Sequence, residues 1–329
     1  MPMDSAEAPE TQEALDALIA SLVPGVQAGE RVAVARALNL VEDRRTTARP
    51  RIAALLRALA GGRPAGHRIG LTGPPGVGKS TLVSALASSL RKRGHTVGVL
   101  AVDPSSRRTG GALLGDRARI DTDPQDQGLF VRSLATAGEL GGLARAAPAA
   151  VMVLAAAFDR VLVETVGVGQ SETDVEHVVD TVVFIVQPGS GDALQFLKAG
   201  IMEIPDLLVV NKADMGEPAA RARAELLGVL RAARGAGLHA APLDGGSDVV
   251  LVSATRAEGI DRLIEAIEGH WMAQTLAGAL VEHRVRGQVE WGLRELVRRV
   301  GEEGVAREGG LAAARARIEA RIRRGNGPL

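Results

Sequence analysis

Apolar positions change their period twice along this chain. Up to residue 62 they recur at helical spacing, first as Leu15, Leu18, Ile19 and Leu22, then as Val34, Leu38 and Val41. Thr46 or Thr47 stands where a third helix would be capped, with Pro50 in its first turn and Gly61-Gly62 at its end. From Arg68 onward short β-branched runs alternate with helix-length spacers. The runs are 68–73, 97–103, 129–134, 160–167, 181–189, 206–214 and 248–254. Continuous apolar strands of this kind are buried on both faces, so the pattern predicts an α/β fold with a mostly parallel seven-stranded sheet and helices on both sides. In such sheets ligands bind beyond the carboxyl ends of the strands.

After Gly259 the pattern returns to helix. Ile260, Leu263, Ile264 and Ile267 form one stripe, and Val285, Val289, Leu293 and Val297 another. The second stripe needs a partner surface, either its own domain or a second copy of the chain. The expected organisation is an N-terminal helical extension (1–62), a central α/β domain (63–270) and a C-terminal helical arm (271–329), which becomes a dimerisation arm if a second copy covers it.

Composition narrows the function classes. The 329 residues carry 39 basic and 39 acidic side chains, which removes the basic surface of a general nucleic-acid binder. Six aromatic residues, none of them Tyr, leave no base-stacking platform. There is no Cys, so disulfides and thiolate metal sites are excluded. The apolar run 146–158 is too short and too Ala-rich to span a bilayer, and the first ten residues do not resemble a secretory signal, so a cytoplasmic protein is expected. Only four of the basic residues are Lys (79, 92, 198 and 212), which marks positions that call for a compact ammonium.

Three motifs carry chemistry. Gly73-Pro74-Pro75-Gly76-Val77-Gly78-Lys79-Ser80 matches the phosphate-binding loop G-x-x-x-x-G-K-[ST], between a strand and a helix opening at Thr81. There the amides of Gly76, Val77 and Gly78 would face phosphate at a helix N-terminus, Lys79 would reach the β- and γ-phosphates, and Ser80 would ligate Mg²⁺. Asn211-Lys212-Ala213-Asp214 closes the sixth run. Its Asp can accept from both N–H donors of guanine, which adenine lacks, so the motif selects GTP over ATP. Ser253-Ala254 fits the second guanine loop. Glu164-Thr165-Val166-Gly167 suits the position that senses Mg²⁺ and the γ-phosphate, with Glu where Asp is commoner, and Asp103 is a second candidate for the metal's shell. The histidines show no ligand spacing, and the group Asp174, Glu176 and His177 reads as a solvated polar face.

Position 168 is Val, where Ras-type proteins carry the Gln that orients water. Gln170 could replace it only if the loop rearranges, so unassisted hydrolysis is expected to be slow. A partner, or a switch arginine at Arg107 or Arg108, would complete the site.

Taken in order, GPPGVGKS, VDPSSRRTGGALLGDRARI, ETVGVGQSE, QPGSGDALQFLKAGIMEIPD and NKAD resemble the MeaB-type G-protein chaperones of adenosylcobalamin-dependent methylmalonyl-CoA mutase, over roughly residues 60–260. The resemblance implies a homodimeric GTPase of the SIMIBI class that binds the mutase, gates loading of intact cofactor and protects the mutase from inactivation. It also implies switch I over about 103–126, switch II over 164–174 and switch III over 189–200, with Asp192 and Lys198 reporting nucleotide state to the partner. Three alternatives are weaker. NKAD speaks against an ATP-using transport kinase. The lack of Cys speaks against a nickel-delivery GTPase. Six Met and a neutral charge speak against a signal-recognition GTPase.

Overall fold

The computed structural model describes residues 12–62, 65–103, 125–135, 145–165, 174–189, 205–235 and 249–329. Helices α1 (Gln12–Gln27), α2 (Arg31–Val41) and α3 (Arg49–Ala60) precede strand β1 (His67–Thr72). Then come α4 (Lys79–Lys92), β2 (Val97–Asp103), β3 (Leu129–Ala135), α5 (Ala147–Ala157), β4 (Arg160–Glu164), β5 (Thr181–Val186) and β6 (Leu207–Val210). They are followed by α6 (Glu217–Gly235), β7 (Val249–Leu251), α7 (Ile260–Leu276), α8 (Ala279–Arg307) and α9 (Gly310–Arg323).

All seven strands are parallel, in the order β3-β2-β4-β1-β5-β6-β7. After β4 the chain crosses from one side of β1 to the other. The carboxyl end of β1 therefore lies at the topological switch, where a crevice opens in sheets of this kind.

Alternation along the strands builds two large cores, and a third, smaller one packs Phe184, Val186, Leu208 and Val210 against Leu226 and Leu230 of α6. Val99 and Ala101 join Leu82, Leu86, Leu263 and Ile267 under α4 and α7. Leu100 and Val102 face the other way, into a cluster with Val151, Leu154 and Phe158 of the α5 segment. That second cluster continues through Leu22, Val34, Leu38, Leu55 and Leu56, so α1–α3 form an outer layer sharing one core with the sheet. The strands stop at Thr72, Glu164, Val186 and Val210, three to four residues short of the apolar run in the later cases. The described polar tails 187–189 and 211–214 lead into the loops of the site. Thr46 and Thr47 do not cap α3. They form the 3-10 turn Thr46–Ala48, and Ala48 is the N-cap with no side-chain bond, because the turn's own carbonyls supply the partners.

The C-terminal helices fold back on the domain. Arg284 of α8 makes a two-pronged ion pair with buried Asp180 (2.6 and 2.8 Å) and donates to the Gly66 carbonyl. His283 donates to the Val179 carbonyl at 2.8 Å, and Arg145 pairs with Glu295 at 2.6 Å. Burial alone would push the Asp180 carboxyl up, but the Arg284 hydrogen bond and the charges of Arg68 and Arg284 outweigh it and hold it below the usual range. Trp291 is buried in the core shared with α1–α3 and α5, and α8 is interrupted at Gly301 before it pairs with α9.

Candidate functional site: a phosphate loop locked to a base-recognition loop

The loop between β1 and α4 takes its shape from three glycines with positive φ: Gly73 (+144), Gly76 (+81) and Gly78 (+88). At two of them a side chain is also excluded by contact. A Cβ on Gly73 would run into the Ile185 carbonyl, and one on Gly78 would lie 2.6 Å from Asn211 Nδ2. Val77 turns its side chain into the α4 core, where it is 1% exposed. Lys79, the first residue of α4, is buried and curls back into the loop, donating to the carbonyls of Gly73 (2.8 Å) and Pro74 (3.0 Å). The ammonium therefore sits inside the turn whose amides open a helix, the local geometry that receives phosphate.

Ser80, next in the helix, donates its hydroxyl to Glu164 Oε1 at 2.7 Å. Glu164 ends β4, which lies beside β1, and it is buried. Two hard oxygen donors, a hydroxyl and a carboxyl, so meet at the helix start. That donor set fits Mg²⁺, whose preferred ligands are carboxylate, hydroxyl and phosphate oxygens. Behind them Thr165 Oγ1 donates to Thr72 Oγ1 (2.9 Å), and its amide donates to the Leu71 carbonyl (3.1 Å), which fixes the end of β4 against β1.

The second half of the site comes from the ends of β6 and β7. Asn211, 2% exposed, donates to the Val77 carbonyl (2.8 Å) and accepts from the Ala254 amide (3.1 Å). One side chain thus ties the phosphate loop, the NKAD segment and the Ser253-Ala254 loop together. Lys212, in the left-handed region (φ +59), donates to the Gly76 carbonyl at 3.0 Å and to Gln187 Oε1. Gln187 follows β5, and sequence reasoning missed it. Its place at the head of QPGSG was the one signal that could have found it. Buried Ser253 donates to Asp214 Oδ1 at 2.6 Å. That bond is the chief reason the Asp214 carboxyl is held below the usual carboxylate range, with Arg256 and Lys212 adding their charges. Asp214 is exposed, and the same bonds favour its ionised form.

Most of the sequence-selected positions therefore converge: Gly76, Val77, Gly78, Lys79, Ser80 and Glu164 on one side, Asn211, Lys212, Asp214, Ser253 and Ala254 on the other. Thr81 is exposed in the first turn of α4, and Asp103 ends β2 at the same edge of the sheet. Arg107, Arg108, Gln170, Asp192 and Lys198 lie outside the described residues.

A phosphate loop at the switch point of an all-parallel sheet, locked by one asparagine to a guanine-type loop, defines a P-loop GTPase with helical extensions, and the chain binds and hydrolyses GTP. The family described as methylmalonyl Co-A mutase-associated GTPase MeaB matches residues 34–307, and the chain belongs to that family. A probable GTPase of Mycobacterium tuberculosis is 40% identical over 314 residues, covering 94% of this chain and 91% of the relative. A mouse protein named methylmalonic aciduria type A homolog, mitochondrial, is 35% identical over 283 residues, covering 82% of this chain and 67% of the relative. Among solved structures, that of a protein named LAO/AO transport system kinase superposes with a TM-score of 0.65 at 31% identity, covering 92% of this chain and 89% of that one.

Proposed function

We propose that this GTPase is a chaperone of an adenosylcobalamin-dependent methylmalonyl-CoA mutase, gating cofactor loading and protecting the mutase from inactivation. Membership of a mutase-associated family carries the reading, and the likeness to the mouse methylmalonic aciduria type A homolog supports it. The same reading makes it a cytoplasmic homodimer. Apolar side chains exposed at the α7–α8 corner, Met272 (60%), Leu276 (83%) and Val281 (64%), favour a further contact surface there.

In this account Asp214 selects guanine, Asn211 and Lys212 hold the base loop against the phosphate loop, and the loop amides receive the β-phosphate. Lys79 exchanges its bonds to Gly73 and Pro74 for phosphate oxygens, placing positive charge where negative charge develops during hydrolysis. Ser80 and Glu164 would hold Mg²⁺, which when bound neutralises phosphate charge. The described residues place no side chain to orient the attacking water. Arg108, Gln170 or the partner would supply that function, so slow basal turnover accelerated by the mutase is expected. Asp192 and Lys198 would relay nucleotide state to it.

A second reading, an ATP-dependent kinase tied to amino-acid transport, takes its support from the likeness to the LAO/AO transport system kinase. The guanine-selective arrangement of Asp214 and Ser253 favours the GTPase. Co-elution on a sizing column tests the proposal. The chain with a non-hydrolysable GTP analogue should migrate together with the mutase, and its GTP or GDP state should change how much adenosylcobalamin the mutase retains. Separate migration in every nucleotide state, with unchanged cofactor retention, would overturn it.

A further inference from the structure

Away from the nucleotide site, a cavity of about 860 Å³ opens between the α2–α3 turn, α5 and the α8–α9 hairpin. That volume is in the range of small-molecule sites. Its apolar wall includes Ile52, Leu134 at the carboxyl end of edge strand β3, and Ile318 of α9.

The polar lining is unbalanced. Its four side-chain carboxylates are already paired: Glu42 with Arg132 (2.7 Å), Asp43 with Arg45 (2.6 Å), Glu295 with Arg145 (2.6 Å) and Glu308 with Arg317 (2.9 Å), which leaves only the terminal carboxylate of Leu329 besides. Arg44, Arg49, Arg299 and Arg321 also line it, and among the described residues none of the four has a carboxylate within ion-pair distance. Half-buried Arg321 holds its proton less tightly than usual, first because of burial and then because Arg57 and Arg299 repel it. Four guanidinium groups with no carboxylate at pairing distance, against one terminal carboxylate in the lining, leave an excess of positive charge that an anion would match.

A second observation is independent of charge. Trp291 lines the same cavity, is only 8% exposed, and among the described residues its indole N–H has no hydrogen-bond partner. A buried donor left unpaired is costly, and an acceptor in the cavity would recover the loss.

We propose that this cavity binds a small organic anion, with its carboxylate or phosphate groups against Arg49, Arg299 and Arg321, an acceptor on the Trp291 indole N–H, and an apolar body on Ile52, Leu134 and Ile318. Its volume, walled by α3, α5, α8 and α9 of one chain, favours a small molecule over a peptide.

The test uses the full chain loaded with GDP and Mg²⁺, so that the phosphate loop is already filled. The probe is 8-anilinonaphthalene-1-sulfonate, an apolar anion, followed by its own emission and by quenching of tryptophan fluorescence, of which the chain has two sources, Trp271 and Trp291. Saturable binding is expected, displaced by pyrophosphate if the site prefers phosphate and by citrate if it prefers carboxylate. Arg299→Glu, an exposed helix position, should weaken the probe roughly tenfold or more while GTP hydrolysis is unchanged. Trp291→Phe keeps the ring and loses the donor, so it should weaken displacement by the favoured anion. No saturable binding, binding indifferent to Arg299→Glu, or displacement by polyglutamate but by neither small anion would overturn the proposal.

Discussion

The side chain of Asn211 offers the sharpest test of how the site is built. It is 2% exposed and spans two loops, donating to the Val77 carbonyl at 2.8 Å and accepting from the Ala254 amide at 3.1 Å. Asn211→Ala removes both bonds and leaves a buried carbonyl and a buried amide short of a partner. Two bonds at roughly 1 kcal/mol each, plus incomplete satisfaction of the groups left behind, amount to about 3 kcal/mol of folding stability. Water admitted to the gap would reduce the loss, and a collapse around Gly78 would enlarge it. Function should fall with stability, because the same bonds hold the base loop at a fixed distance from the phosphate loop. GTP and GDP should weaken together, each by more than tenfold, since both use base and phosphate contacts at once. Urea unfolding and titration with a fluorescent guanine nucleotide measure the two effects. A stability change under about 0.5 kcal/mol with unaltered affinity would refute the interlock.

Other consequences follow from single groups. Asp214→Asn should move base preference from guanosine to xanthosine nucleotides, because the new amide donates where the carboxylate accepted. Unchanged GTP affinity in a titration would show that Asp214 does not read the base. Lys79→Ala should lower GTP turnover about a hundredfold or more, with GDP affinity less affected, and a wild-type rate at saturating GTP would remove the phosphate loop from the chemistry. His67 is fully buried, accepts or donates one hydrogen bond with Thr181 (2.9 Å), stacks on Trp271, and has its pKa pushed down to about 3 by burial. It stays neutral in the fold but gains a proton in the unfolded chain below about 6.5. Stability present in full above that value is therefore lost progressively as pH falls toward about 3. From pH 7 to pH 5 the loss is about 2 kcal/mol from this residue, and urea midpoints should show it. His67→Gln should flatten that slope, and an equal slope in the variant would contradict the assignment.

Much of this was legible in the sequence because strand and loop chemistry are local. The seven β-branched runs mark the seven strands, and the phosphate loop needs only its glycines and its place between strand and helix. What local pattern did not reveal depends on tertiary partners. Gln187 is an unremarkable polar residue until β5 and β6 lie side by side and bring it to Lys212. Nor did the sequence link His67 to His270, which only the fold joins, with Thr181 bridging them across β1, β5 and α7. The helical stripes of α1–α3 look alike whether they cover a neighbour loosely or continue its core, and only the packing of α1–α3 on α5 decided for the core. The threonine cap failed for a related reason, since an alternative turn one residue earlier satisfied the same amides.

The most direct test of the account is the hydrolysis rate of the purified chain with GTP and with ATP, each measured with and without methylmalonyl-CoA mutase. Weak turnover of GTP alone should rise when the mutase is added. Turnover of GTP that ignores the mutase would contradict the proposed client, and a preference for ATP would contradict the guanine site itself.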